Sequence, residues 1–238
     1  MDLRDSAAAQ AYLEAPIPET SSPWREADFT VVDLETTGLD ASVNEIVSFA
    51  TVAVSGGRVT LADARYELVR PQRMPDGDTI RIHGLREADL IDAPPLSQHL
   101  AELLDAFTGR VLVAHVAAIE RAFLRAALAA GGLPLRNPIV DTAALAVELS
   151  RMRREPPPER APVGLSELAK SLGLPVHRRH TADGDALTTA QAFIALATHL
   201  DQFQPQTVGT LVRASSPPAH RPSLRAFLRR IGPGGRHA

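Results

Sequence analysis

The stretch Asp33-Leu34-Glu35-Thr36-Thr37-Gly38-Leu39 closes a Val-rich apolar run that begins at Phe29. Residues two apart in a strand point to the same face, so Asp33 and Glu35 place two carboxylates side by side. Like charges this close are costly unless a cation lies between them, and Mg²⁺ takes oxygen ligands of this kind. The alternative interpretation is a strand end that runs into a turn, with both acids hydrated. The pattern therefore indicates a metal site only if further ligands exist elsewhere in the chain.

A second stretch, His180-Thr181-Ala182-Asp183-Gly184-Asp185-Ala186, supplies such a partner. It places His180 five residues before Asp185 at the predicted start of a helix, so the imidazole can lie beside a metal ion held by Asp185. Histidine is the side chain best suited to accept a proton from water near neutral pH. Taken alone, the stretch is better explained by acids in a first helical turn and a loop histidine.

The rest of the sequence predicts an α/β fold with a mixed sheet. Runs 29–34, 45–54 and 58–69 are strand-like and closely spaced, which favours an antiparallel meander. Downstream, helical periodicity alternates with short apolar strands. The helices are predicted at 5–14, 96–107, 117–130, from about 141, at 165–172 and at 182–200, and the later strands at 110–114 and 138–140. This order predicts a five-stranded sheet flanked by helices.

Changes in composition divide the chain into three parts. Residues 1–27 form a short helix and a Pro-rich linker, residues 28–201 the main domain, and residues 202–238 a tail rich in Pro, Ser, Gly and Arg. We expect most of this tail to be loose. Within it, apolar residues fall on one helical face among arginines and predict a short basic amphipathic helix: Leu224, Phe227, Leu228 and Ile231. Such a helix would contact a partner, nucleic-acid phosphates, an anionic membrane or the acidic domain.

Composition excludes several classes of site. The chain has 238 residues and no cysteine, which excludes disulfides, thiolate zinc sites and cysteine nucleophiles. Aromatic residues are only 4%, so few side chains are available to stack on bases. All 28 acidic residues lie at or before Asp201, where they outnumber 19 basic residues, and six arginines follow without an acid. With no signal-like segment and no apolar run long enough for a membrane span, we expect a cytoplasmic protein.

Together, the Asp33–Leu39 stretch and the pattern His180-x-Ala-x-x-Asp185-Ala resemble the DnaQ-like family of 3'-to-5' exonucleases in its DEDDh branch. That branch includes the proofreading subunit of bacterial replicative polymerases. The resemblance covers roughly residues 28–200. It implies a ribonuclease H-like version of the predicted mixed sheet, a nucleic acid 3' end as substrate, with single-stranded DNA favoured over RNA, and a replication or repair protein as a partner.

The resemblance also implies roles for individual residues. Four carboxylates would hold two divalent ions, Mg²⁺ or Mn²⁺, and His180 would be the general base in a reaction that releases nucleoside 5'-monophosphates. The four carboxylates are those of Asp33, Glu35, Glu120 and Asp185. Residues that match family segments near the terminal nucleotide are Thr36, Thr37, Gly38, Leu39 and His83. The alternative for His83 is an ordinary turn histidine.

Two positions depart from the family pattern. Where the family has Asn after a strand-end histidine and Asp soon afterwards, this chain has Val116 and Glu120. The longer side chain of Glu120 displaces the carboxylate by a carbon–carbon bond, about 1.5 Å, and metal sites are sensitive to shifts of that size. Glu120 is therefore either the fourth acid or a surface residue. In the second case, the chain would be a catalytically weakened module that binds nucleic acid or a protein partner.

Overall fold

The computed structural model describes residues 3–155 and 163–215. Five strands form one sheet in the order β3-β2-β1-β4-β5. They are β1 (Phe29–Thr36), β2 (Ile46–Ser55), β3 (Arg58–Leu68), β4 (Val111–Ala114) and β5 (Ile139–Asp141). Strands β1, β2 and β3 pair antiparallel, whereas β4 pairs parallel with both β1 and β5. The predicted mixed five-stranded sheet is confirmed.

Helices cover both faces of this sheet. The described residues form α1 (Ala7–Glu14), α2 (Gly77–His83), α3 (Glu87–Leu90), α4 (Leu96–Phe107), α5 (Ala118–Ala130), α6 (Thr142–Arg153), α7 (Leu165–Ser171), α8 (Ala182–Asp201) and α9 (Val208–Ala214). Helices α6, α8 and α9 share one apolar core with β1 residues such as Val31, and α1, α4 and α5 share the other with residues such as Val32. Alternate β1 side chains thus enter opposite cores, as the strand period requires. None of the described helices is both long and apolar enough to cross a bilayer.

Three short helices, α2, α3 and α9, are absent from the sequence prediction. Each has at most seven residues and therefore little apolar periodicity, although the sequence does predict α7, which is equally short. Their end signals are nevertheless present in the sequence. In α2, the side chain of Asp76 accepts hydrogen bonds from the backbone of Asp78 and Thr79, and Gly84 ends the helix in a left-handed conformation (φ 77°).

The chain ends pack more closely on the domain than their composition predicts. In the N-terminal part, Tyr12 of α1 is buried, and its hydroxyl donates to Asn137 Oδ1 at 2.8 Å. In the predicted tail, Val208 and Leu211 of α9 enter the same core as α8. The packed chain therefore continues past the predicted boundary at 201, and the expectation that most of residues 202–238 are loose stays a prediction. The predicted amphipathic helix lies outside the described residues.

Parallel pairing brings three strand ends to one edge of the sheet. Strands β1, β4 and β5 run in the same direction, so Thr36, Ala114 and Asp141 all lie at the carboxyl edge. Residues that follow these strands are thereby held close together although they are far apart in sequence. The candidate catalytic residues lie at this edge.

Candidate active site

Asp33, Glu35 and Asp185 form a compact acidic cluster. One carboxylate oxygen from each lies within 4.8 Å of the others. Strand β1 contributes the first two from the face that packs on α8, and the first turn of α8 contributes the third. Two strand residues at spacing two and one helix residue thus converge, as the two sequence stretches predict.

Glu120 joins this cluster from α5. It lies in the first turn of that helix and is only 6% exposed, which excludes the surface alternative. Its Oε2 is buried and has no hydrogen-bond partner among the described residues. Its negative charge is, after burial, the strongest influence raising the pKa of Asp33. Glu120 is therefore buried and close enough to Asp33 for their charges to interact, although the group of oxygens within 4.8 Å of one another comprises only Asp33, Glu35 and Asp185.

The pKa values of these acids show that the site resists negative charge. Burial, followed by the charges of Glu120, Glu35 and Asp185, raises the pKa of Asp33 well above its usual value. Burial is also the main cause that raises the pKa of Glu35 and of Glu120 to about 8 and that raises the pKa of Asp185. Crowded carboxylates of this kind require either protons or cations. Oxygen-only ligands and an unpartnered buried carboxylate oxygen fit Mg²⁺ or Mn²⁺.

His180 lies next to the cluster on an exposed turn. Its backbone N–H donates to Asp185 Oδ2 at 2.9 Å, and its φ of 57° is left-handed. The next residue, Thr181, is the N-cap of α8. His180 and Asp185 also line one side of a cleft whose opposite side is the start of α7. The imidazole is thus accessible to solvent beside a candidate metal ligand.

The segment after β1 forms a tight loop at the same edge. The Thr36 hydroxyl donates to the Gly38 carbonyl at 2.6 Å, and the Thr37 N–H donates to the Glu45 carbonyl at 2.9 Å. A Cβ at Gly38 would lie 2.7 to 2.8 Å from the side-chain amide of Asn44, so a larger residue here would displace that side chain. The loop continues into Leu39, which is partly buried. Its position beside Glu35 is compatible with the predicted contact to a terminal nucleotide.

His83 is buried at the turn that ends α2, and both its predicted contact with substrate and the alternative of a turn histidine stay open. It lies in the last turn of α2, is 7% exposed, and its Nδ1 accepts a hydrogen bond from the Leu85 N–H at 3.0 Å. Burial lowers its pKa. Among the described residues, no hydrogen bond or ion pair joins it to the acidic cluster.

Asp141 has a second role besides the N-cap of α6 that the sequence predicts. Its Oδ1 accepts from the Ala143 N–H at 2.9 Å, which is the cap, and also from the Val116 N–H at 3.0 Å. Val116 has a left-handed backbone with φ 60°. Asp141 therefore holds the turn between β4 and α5, two residues before the helix turn that carries Glu120. Sequence reasoning missed this bond because it joins backbone and side chain across two parallel strands.

The RNase_T family model, described as Exonuclease, matches residues 30–193. The chain belongs to this exonuclease family. The match covers every strand and the helices that supply the acidic cluster. This exonuclease domain therefore carries its candidate metal ligands at positions brought together by the family fold.

Curated relatives of the exonuclease domain are longer replication proteins. It is 33% identical over 174 residues to the DNA polymerase III PolC-type protein of Thermotoga maritima, covering 73% of this chain and 12% of that protein. It is 33% identical over 186 residues to a DNA polymerase III subunit epsilon-like protein of Rhodobacter capsulatus, covering 77% and 25%. The chain thus spans a quarter or less of these relatives.

Solved structures share the fold at lower identity. Exonuclease X, solved with a 5' overhanging duplex DNA, is 22% identical with a TM-score of 0.58, covering 79% of this chain and 99% of that one. E. coli exonuclease I, solved with a dA16 oligonucleotide, is 16% identical with a TM-score of 0.64, covering 74% and 42%. These matches show the same architecture of sheet and helices.

Proposed function

We propose that this chain is a metal-dependent 3'-to-5' exonuclease that releases nucleoside 5'-monophosphates. The observation that carries the proposal is the convergence of Asp33, Glu35 and Asp185 at the carboxyl edge of an exonuclease-family sheet, with buried Glu120 and exposed His180 near them. Four crowded carboxylates destabilise a fold unless they bind cations, so their presence together favours a catalytic site.

In this proposal, Asp33, Glu35, Glu120 and Asp185 hold two divalent ions. The ions supply Lewis-acid stabilisation of charge on the phosphate and on the attacking and leaving oxygens. An imidazole nitrogen of His180 accepts a proton from water as the water oxygen bonds to phosphorus. The bond from phosphorus to the 3' oxygen of the remaining strand then breaks, and that oxygen takes up a proton from solvent. The exposed position of His180 lets its acquired proton return to water.

The loop from Thr36 to Leu39 and His83 would contact the terminal nucleotide. Support for a nucleic acid substrate comes from the DNA-bound structures of exonucleases X and I, and support for a replication or repair partner in the cytoplasm comes from the polymerase III relatives. Single-stranded DNA is the substrate we expect, as the family resemblance implies and as the dA16 oligonucleotide bound to exonuclease I supports.

The test is release of mononucleotides from a 3'-labelled single strand in Mg²⁺ or Mn²⁺, compared with a 5'-labelled strand, a duplex with a mismatched end and a short RNA. We expect the 3' label to appear first as a nucleoside 5'-monophosphate. Asp33→Asn serves as the inactive control, since it removes one candidate ligand charge. A folded sample that releases no mononucleotide in either metal would refute the proposal.

A weakened binding module is the second candidate, because Glu120 is longer than the Asp of the family pattern. In that case the protein would bind single-stranded DNA in a metal-dependent manner and release mononucleotides no faster than Asp33→Asn does.

A further inference from the structure

We propose that Arg178, Asp183 and Gly184 are positioning residues that fix His180 against Asp185. This inference rests on the proposed function, since it assigns a role to residues around the general base. None of the three is in the acidic cluster. They act together by closing the turn that precedes α8.

Gly184 allows the turn to lie directly on the first turn of α8. A Cβ at this position would lie 2.8 Å from the carbonyl carbon and 2.9 Å from the nitrogen of Arg178, with the carbonyl oxygen closer still. These are backbone atoms, which cannot move aside as a flexible side chain can. Any residue other than glycine would therefore push the segment that leads into His180 away from α8.

Hydrogen bonds from two side chains also stabilise this turn. The guanidinium of Arg178 donates to Asp183 Oδ2 at 2.7 Å, and the Thr181 hydroxyl donates to the Arg178 carbonyl at 3.1 Å. The ion pair is largely exposed, so it adds little stability by itself. Its effect is geometric, because it selects one conformation for the residues between its two members.

The conformation selected is strained at His180. A left-handed backbone is unfavourable for histidine and persists only where the surroundings impose it. With φ at 57°, the His180 N–H points at Asp185 Oδ2 and donates to it at 2.9 Å. The turn therefore sets two things at once, the location of the imidazole and the orientation of the Asp185 carboxylate.

The rate of catalysis depends strongly on where the general base and the metal ligands are held. A displacement of about 1 Å in a catalytic group can reduce a rate by about a hundredfold. Relaxation of this turn should lower kcat by moving the base and should weaken Mn²⁺ binding by freeing Asp185. The KM for DNA should change little, because Arg178, Asp183 and Gly184 are assigned no contact with it.

The experiment measures kcat, KM, Mn²⁺ affinity and Tm for Gly184→Ala and Asp183→Asn. We expect kcat to fall by tenfold or more for Gly184→Ala and by several-fold for Asp183→Asn, with KM within about twofold. Asp183→Glu, which keeps the charge opposite Arg178, should recover most of the rate. For Gly184→Ala and Asp183→Asn, the two variants with a lower expected kcat, we also expect a several-fold weaker affinity for Mn²⁺.

Two matched controls separate positioning from stability. Gly209 lies at the start of α9, and Gly209→Ala places a Cβ 2.8 Å from the carbonyl oxygen of Thr20. This variant should lower Tm without lowering kcat. Glu148→Gln breaks an Arg151 ion pair on α6 and should leave kcat unchanged. The Asp183 variants keep the test informative if Gly184→Ala does not fold.

His180→Ala distinguishes failure of this inference from failure of the proposed function. If the wild type is active and His180→Ala loses most of its rate while Asp183→Asn keeps wild-type kcat and Mn²⁺ affinity, the positioning role is wrong and the proposed function stands. If the wild type releases no mononucleotide, the proposed function is wrong. If the wild type is active and His180→Ala keeps the full rate, the role of His180 as general base is wrong, and in either case the positioning role is wrong as well.

Discussion

Val116 is a residue whose side chain conflicts with the backbone conformation that the site gives it. It adopts φ 60°, a region that asparagine tolerates and that a β-branched residue strongly disfavours. Its N–H is nevertheless bonded to Asp141, so the turn keeps its shape at a cost in stability. Asn, which the resembling family's pattern has at this position, tolerates a left-handed backbone better than Val does.

Val116→Asn should stabilise the protein, because it removes this strain while the Asp141 bond remains. We expect an increase of about 1 kcal/mol in the free energy of unfolding. That corresponds to a Tm higher by about 2 to 4 °C for a domain of this size. Thermal unfolding of the variant, beside Val43→Asn at an exposed position, provides the measurement. Equal Tm shifts in the two variants would contradict the strain.

Glu120→Asp tests whether the fourth acid is a ligand. The shorter Asp side chain brings the carboxylate about 1.5 Å closer to the backbone of α5 than Glu120 does. We expect kcat in Mg²⁺ to fall by about tenfold, with a smaller loss in Mn²⁺, when both are measured on a labelled single strand. Glu148→Asp, which alters only an ion pair with Arg151 on α6, is the control. Identical kinetics in both metals would show that Glu120 is not a ligand.

Stability of the metal-free protein should fall as the pH rises. The folded pKa values of Glu35 and Glu120 are raised to about 8 from 4.5, so their protonated forms favour the fold, and this contribution is lost as the pH rises through 8. His83 and His115, whose folded pKa values are lowered by burial from 6.5, oppose this trend near pH 6.5, where the unfolded imidazoles are still half protonated, and cease to do so about one pH unit higher. Tm between pH 6.5 and 8.5 should drop by about 5 °C or more in EDTA.

Divalent metal should reverse this trend, because it binds the ionised cluster of the folded state only. Adding Mg²⁺ or Mn²⁺ should raise Tm more at pH 8.5 than at pH 6.5. Glu120→Gln removes one titrating group and should flatten the dependence in EDTA. A Tm that is independent of pH in EDTA, with no response to metal, would contradict the electrostatics of the cluster.

Local patterns indicate Asp33, Glu35 and Asp185 but leave the alternative of hydrated acids open. The resemblance to the exonuclease family is what assigns these acids, Glu120 and His180 to one site. Arg178 and Gly184 cannot be predicted in the same way. These two residues matter because the backbone at Arg178 packs directly against Gly184 in the first turn of α8. A periodic pattern in the sequence does not indicate such a contact.

At the level of elements, periodicity predicts the long helices closely and misses the short ones. The predicted helices at 96–107 and 182–200 match α4 and α8 within a residue at each end, since both have sustained apolar periodicity. Helix α9 is not predicted, because the Pro and Gln residues before it suggest a loop and because it buries only one turn of residues. Its burial is decided by a partner surface, the core beside α8, that only the fold creates.

Truncation tests the contribution of α9. Removing residues 202–238 deletes Val208 and Leu211, and burial of two such side chains contributes about 3 to 6 kcal/mol. It also deletes the hydrogen bond from the Trp24 N–H to the Gln206 carbonyl. We expect a Tm lower by at least about 10 °C than that of a truncation after Ser215. Equal Tm values for the two truncations would show that α9 does not stabilise the domain.

At the scale of the whole molecule, charge is distributed unevenly. Residues up to Asp201 carry a formal charge of −9 and the rest +6. Four of the negative charges belong to the acidic cluster, and bound divalent ions would neutralise them, so an acidic domain is compatible with a polyanionic substrate. The Ser215 hydroxyl accepts a hydrogen bond from the Asp141 N–H at 2.8 Å, so the last described residue lies at the catalytic edge.

This location predicts that the arginines after Ser215 contribute to DNA affinity. A truncation after Ser215 removes five of them, Arg221, Arg225, Arg229, Arg230 and Arg236. Binding of single-stranded DNA, measured with Asp33→Asn to prevent cleavage, should weaken at low salt. The slope of log affinity against log salt should become shallower by about 0.7 for each phosphate that the arginines no longer neutralise. Unchanged affinity and slope would exclude this contribution.

Trp24 provides a spectroscopic probe remote from the chemistry. It is the one tryptophan of the chain, is 1% exposed, and its Nε1 donates to Asp201 Oδ2 at 2.7 Å at the end of α8. At 1.5 Å per residue, Asp201 lies about 24 Å along the helix from Asp185. Its emission should therefore report unfolding of the domain while remaining insensitive to nucleotides and metal ions, so stability and turnover can be followed in one cuvette.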